Sequence, residues 1–139
     1  MKTSITLLLF SLIFNLNAAQ TNTDDYKTVV QSFINTIKTK NIEQLKTQVS
    51  YPLSREYPLA NVKTKTEFVK RFNEIFDDSL LNIIINSDIN ADWSPMGWRG
   101  IMLNRGSVWL DYDGTLLAVN YQSNIEKLNR LKLIELDKK

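Results

Sequence analysis

Glycine, the residue that enters the left-handed backbone region at little steric cost, occurs in only one part of this chain. All four glycines (Gly97, Gly100, Gly106 and Gly114) fall between Asp92 and Tyr121, as do all three tryptophans, Trp93, Trp98 and Trp109. Tight turns and large apolar rings are therefore concentrated in DWSPMGWRGIMLNRGSVWLDYDGTLLAVNY. We read this stretch as a β-meander that carries the core of a small domain and the better part of any ligand site.

Alternation predicts strands over residues 98–103, 107–112 and 115–121. Asp113-Gly114 is the strongest turn signal and predicts a two-residue type I′ hairpin. That turn pairs Tyr112 with Thr115, Leu110 with Leu117 and Val108 with Val119. The other face then joins Trp109 to Ala118 and Asp111 to Leu116. The turn at Asn104-Arg105-Gly106 admits two registers. An even connection pairs Leu103 with Val108, puts Arg99, Ile101 and Leu103 on the core side, and sets Trp98 and Met102 beside Trp109. A three-residue loop with Gly106 left-handed exchanges those faces. We prefer the even connection because it keeps apolar side chains opposite apolar ones.

Upstream, the apolar period is helical. Thr23 is placed to cap a helix, with Asp24 and Asp25 in the first turn, where the helix dipole favours negative charge. Tyr26, Val29, Val30, Phe33, Ile34 and Ile37 then form one stripe. Asn41 and Gln44 predict a second, short helix to about Lys46. Residues 48–53 read as a short strand that Pro52 confines to an edge. The tripeptide Tyr-Pro-Leu occurs at 51–53 and again at 57–59, with Arg55 and Glu56 between, and reads as a loop presenting Tyr51 and Tyr57 near a rim. Thr64 and Glu67 match a capping box, which predicts a long helix from about Lys65 to Ser79 with Phe68, Phe72, Ile75 and Phe76 inward. Residues 80–85 fit either another helical turn or a β-branched strand, and 86–92 a loop. In the tail, Ser123 to Glu126 suits a helix cap. The alternation of residues 131–136 nevertheless favours a final strand from about Arg130, since a curved sheet needs a further edge partner.

Composition narrows the function. The 139 residues suit a single α+β domain, and a formal charge of +2, spread without blocks, gives no basic stripe for nucleic acid. Cysteine and histidine are both absent. That removes thiol nucleophiles, disulfides, the usual zinc spheres and the side chain most often used for proton transfer near neutral pH. Residues 1–19 read as a secretory signal: Lys2, an apolar run from Ile5 to Phe14, then Asn17-Ala18-Ala19. The expected mature domain spans 20–139, exported to a periplasm or the exterior and without a membrane anchor once the signal is removed.

The order of helix, short helix, strand, long helix and antiparallel meander over residues 24–136 resembles the nuclear-transport-factor-2-like superfamily, also called SnoaL-like or cystatin-like cone folds. That resemblance implies helices wrapped on a curved antiparallel sheet, with a cavity between the long helix and the sheet. It also implies a range of roles: lyases and isomerases, ligand binders and partner-binding modules. The Asp/His pair of enzymatic members has no counterpart in a chain without histidine.

Asp92, Trp93, Trp98, Arg99, Trp109, Asp111 and Asp113 form the candidate constellation. An aromatic wall with one guanidinium suits an anionic or sugar-like ligand. The same residues also suit plain structure: turn carboxylates, a Trp98/Trp109 cross-strand pair, an Arg99–Asp111 ion pair. The expected ligand contacts are Trp98, Arg99, Trp109, Asp111 and Tyr57, with no catalytic residue, metal or cofactor assigned. The leading expectation is a non-enzymatic domain that binds a small molecule or a protein partner, with the sheet also offering a homodimer surface. Two alternatives stand beside it: a small-substrate enzyme using Asp111 as general base, and an inhibitor or immunity-type protein. Mass spectrometry of the exported chain is expected to show cleavage after Ala18 or Ala19, and retention of residues 1–18 would refute the signal.

Overall fold

A computed structural model describes residues 25–139. The signal, the Thr23 cap and Asp24 lie outside these residues. Among the described residues, five α-helices and two 3₁₀ turns accompany a four-stranded antiparallel meander of order β1-β2-β3-β4. Helix α1 (Asp25–Lys38) buries Tyr26, Val30, Phe33, Ile34 and Ile37, so the predicted stripe is its core face. It ends in a Schellman motif, with Asn41 N bonded to Thr36 O and Lys40 N to Ile37 O. Lys40 takes the left-handed position there at φ 51°. Positive φ is therefore also used outside the glycine-bearing stretch, by a residue that bears the steric penalty.

Helix α2 (Ile42–Leu45) is capped by Asn41, whose side chain accepts from Gln44 N. A 3₁₀ turn follows at Lys46–Gln48. The strand expected over residues 48–53 reduces to two isolated bridges. Val49 lies parallel to Leu116, and Leu53 lies antiparallel to Val62. The 3₁₀ turn takes Gln48, the first residue of that segment, and Pro52 has no N–H to give to a ladder.

The long helix predicted to Ser79 is two helices. Helix α3 (Lys65–Ile75) is capped by Thr64, and Glu67 reaches back to the Lys63 N–H. Helix α4 (Asp78–Ile85) restarts because the Asp77 carboxylate accepts from Leu80 N at 2.9 Å. The break sets Phe76 in a parallel stack on Phe72 at 4.9 Å. Residues 80–85 are thus helical, with Leu80, Leu81 and Ile84 buried.

The strands are β1 (Trp93–Pro95), β2 (Ile101–Leu103), β3 (Val108–Leu110) and β4 (Leu116–Val119). Ile101, Met102 and Leu103 face Leu110, Trp109 and Val108, which is the even register predicted for the second turn. The last hairpin differs. A type I′ turn needs positive φ at both central residues, and Asp113 keeps negative φ while Gly114 alone takes +90°. The loop is accordingly three residues long, with Asp111 N bonded to Thr115 O and Gly114 N to Asp111 O. Leu116, not Leu117, then faces Leu110 and the core. A bulge at the level of Trp109 and Leu110 restores the expected Trp109–Ala118 and Val108–Val119 pairs.

Residues 124–136 form helix α5 (Asn124–Leu136) and not the expected final strand. Ser123 caps it, accepting from Glu126 N at 3.1 Å. One side chain locks this helix in place. Arg55, from the loop between the two Tyr-Pro-Leu segments, and Glu126 are a buried pair with side-chain exposures of 2% and 1%. Arg55 Nε donates to Glu126 Oε1 at 2.8 Å and Nη2 to Oε2. The remaining guanidinium protons go to the carbonyls of Val119, Tyr121 and Ser54. Arg71 from α3 approaches the same carboxylate at 3.8 Å. Loop, sheet end, α3 and α5 therefore meet at one charge pair.

Removing one partner strands a buried charge and is expected to cost about 3–5 kcal/mol. In urea denaturation, Glu126→Ala or Arg55→Ala is expected to lose that much, and Arg55→Met with Glu126→Leu together much less. A single variant with wild-type stability would refute the role.

Candidate functional site

The β1–β2 connection is a corner, where a continuous strand over residues 98–103 was predicted. Gly97 and Gly100 both take positive φ, at 60° and 95°, and enclose a 3₁₀ turn at Gly97–Arg99. The corner is closed by Met96 N on Gly100 O at 2.7 Å and Gly100 N on Gly97 O at 3.1 Å. Gly100 is buried, and a Cβ there would run into the carbonyl oxygen of Leu110. Chain reversal at this point thus depends on the missing side chain.

The corner removes Trp98 and Arg99 from the sheet. Trp98 is 95% exposed, so the expected Trp98–Trp109 cross-strand pair does not form. Arg99, expected on the core side, is exposed and lies over the Trp109 ring, 5.4 Å from its centroid. This is cation–π geometry, worth about 0.5–1 kcal/mol at an exposed site. Trp109 stands half-buried on the outer face of β3, between Met102 and Ala118 in register. Its indole lies against Gly106, where a Cβ would come within 2.9 Å of Nε1.

The other predicted contacts do not converge on this corner. Asp111 is exposed at the start of the last turn, and its carboxylate accepts from the Tyr112 N–H at 2.7 Å. Tyr57 is 77% exposed at the tip of the loop closed by the Leu53–Val62 bridge. Its carbonyl accepts from Arg130 Nε on α5 at 2.8 Å. Tyr51 is scaffold: its hydroxyl donates to Lys46 O and its ring meets Phe68 edge-on at 6.3 Å. Trp93 is core, edge-on to Phe33 with its indole N–H on Ser87 Oγ. Asp92 closes the preceding loop by accepting from Asp88 N.

Burial pushes the phenols of Tyr51 and Tyr121 up, and for Tyr121 the hydrogen bond to Asp77 adds to this. Both remain protonated donors at neutral pH. The Thr115 side chain and backbone N–H hold the Asp113 carboxyl below its ordinary range. Between the helices and the sheet, the inward side chains form one continuous apolar cluster. The concavities lie on the surface, and one of about 330 Å³ sits over the Arg55 junction, lined by Ser54, Glu56, Val119, Asn120 and Gln122. One, of about 660 Å³, is a polar groove along α1 lined by Thr28, Gln31, Ser32, Asn35, Thr39 and neighbours. Another, of about 270 Å³, lies where Ile125 of α5 meets Ile42, Phe72 and Leu81.

Sequence reasoning missed the apolar exposure of α5, where Ile125, Leu128, Leu131, Leu133 and Leu136 all face solvent. The Ser123-to-Glu126 cap was the available signal for a helix there. Comparison of the chain with family models, curated proteins and solved structures gives no match.

A carboxyl held low in the folded state stabilises the fold above its unfolded pKa, and that increment disappears as pH falls through the folded value. Asp113 therefore contributes at neutral pH and stops contributing in the acid range below about pH 4. NMR titration of side-chain carboxyls is expected to find Asp113 below the ordinary aspartate range, and Thr115→Val is expected to move it upward. No movement would refute the assignment.

Proposed function

We propose that this chain is an exported, non-enzymatic domain that binds a protein partner through the Trp98 corner and the adjoining outer face of the sheet. The observation that carries the reading is Trp98, a nearly fully exposed indole on a turn fixed by two positive-φ glycines and backbone hydrogen bonds. A large side chain held out on a rigid corner loses little freedom when it docks, and tryptophan and arginine dominate binding hot spots. Arg99 on Trp109, with Met102 and Leu117 half-buried nearby, extends the surface. This face is open, and small ligands need concave sites that cover most of their area. A partner protein fits such a surface better.

We infer kinship with the nuclear-transport-factor-2-like superfamily from the helices that precede an antiparallel meander, the short strand and the unbroken long helix of the expected order not being formed. An enzyme using Asp111 is the weaker reading, because an exposed carboxylate bonded to its neighbour's N–H lacks the burial that tunes a general base. Assembly through the sheet edges is also weakly supported. Ser50 N already bonds Leu116 O beside β4, and β1 ends at Pro95, which has no N–H to offer.

A photo-crosslinking residue at position 98 of the exported protein, in its own host, is expected to give one adduct of defined mass. For the partner so defined, Trp98→Ala is expected to weaken binding about 30-fold, or roughly 2 kcal/mol, with unchanged melting. Absence of an adduct, or binding indifferent to Trp98→Ala, would refute this reading.

A further inference from the structure

Helix α5 is held at its base and left bare along its length. Glu126 is its one buried residue, and Arg130 ties its side to the loop through Glu56 at 3.1 Å and the Tyr57 carbonyl. Leu128, Leu131 and Leu136 remain 59%, 60% and 64% exposed, and Ile125 and Leu133 are exposed as well. Half of the large exposed hydrophobic side chains among the described residues belong to this one helix. Together they present on the order of 500 Å² of apolar surface, near the upper end of what a monomer tolerates.

At 100° per residue, Ile125, Leu128, Leu131 and Leu136 fall on one broad face. Two charges, Lys132 and Glu135, lie inside that same face. Neither has an ion-pair partner among the described residues. A face of this kind is self-complementary in one orientation only. In a parallel pair Lys132 meets Lys132 and Glu135 meets Glu135. In an antiparallel pair about a two-fold axis between Leu133 and Ile134, Lys132 meets Glu135 twice, and Leu131 meets Leu136 twice.

We propose that α5 is a homodimerisation helix, pairing antiparallel with α5 of a second copy of this chain. In that register Leu128 meets Lys139 and Ile125 lies beyond the partner's last residue, so the pair covers Leu128, Leu131 and Leu136 of each copy and removes on the order of 600 Å² in total, below a standard specific interface. The dimer is therefore weak, forming on the order of 100 µM or above. A lipid surface is the other occupant such a helix suggests. Two opposite charges in the middle of the apolar face oppose it, because Lys132 and Glu135 would enter the acyl boundary unpaired, whereas in the dimer each meets the other. The interface does not involve Trp98, so its test is independent of the partner reading above.

Sedimentation velocity of the purified protein is expected to show a monomer–dimer equilibrium in that concentration range. Leu131→Glu is expected to raise the dissociation constant at least tenfold while circular dichroism stays unchanged. Lys132→Glu and Glu135→Lys are each expected to abolish the dimer, and the double variant to restore it. A 1:1 mixture of the two single variants is expected to give a heterodimer. A wild-type protein that stays monomeric to about 1 mM would overturn the proposal. So would a dimer indifferent to the charge reversals, a double variant that fails to recover, or a monomer that binds phosphatidylglycerol vesicles through Leu131.

Discussion

The Arg55–Glu126 pair is the constraint on which the arrangement of the second half of the molecule depends. Taking two charges out of water costs several kcal/mol per ion, and attraction between them offsets this only when every remaining proton and lone pair is used. Here they are used. The guanidinium divides its donors between both carboxylate oxygens and the carbonyls of Ser54, Val119 and Tyr121. No buried side-chain polar atom is left without a partner among the described residues. A pair of this kind adds less to net stability than to position. It fixes where the loop, the end of β4 and the base of α5 meet, because any other docking leaves a charge unpaired in the core.

That fixed base explains the odd character of α5. A helix normally holds its place by burying an apolar stripe. This one buries a carboxylate, and its leucines are left free to do something else. The loop carrying Tyr57 is secured by the same junction, with Asn61 accepting from Arg55 N and Arg130 holding Glu56. Two surfaces follow, at different places on the molecule. One is the bare helix, and the other is the corner that lifts Trp98 out of the sheet. Neither is needed to fill the core, which Trp93 and the phenylalanines of α1, α3 and the α3–α4 junction supply with their ring contacts.

Much of the fold was legible in local pattern. The stripe of α1, the caps at Asn41, Thr64 and Ser123, and the even register of β2 with β3 each follow from a few residues of sequence. Where the reading failed, two local rules competed. Asp113-Gly114 signals a two-residue turn, yet Asp113 does not adopt positive φ, so the loop gains a residue and a bulge offsets it. Residues 131–136 alternate as a strand would, yet the cap at Ser123 starts a helix that runs through them. Asp77 looked like part of a helix and is the start of the next one. For the candidate site, residue types are legible in the sequence but the placement of Trp98 and Arg99 is not. Two glycines three residues apart mark a corner as readily as they tolerate a strand.

The sequence by itself determined which faces are apolar, where helices begin, and that any chemistry here proceeds without thiol or imidazole. Those are properties of residue type and of spacing within a few turns. Only the tertiary structure decided that Arg55 and Glu126, 71 residues apart, are partners, that Trp93 is core while Trp98 stands in solvent, and that the leucines of α5 stay uncovered. Each of these depends on which elements arrive beside one another. Burial and pairing across such separations are set by the packed chain as a whole, so no local period in the sequence carries them.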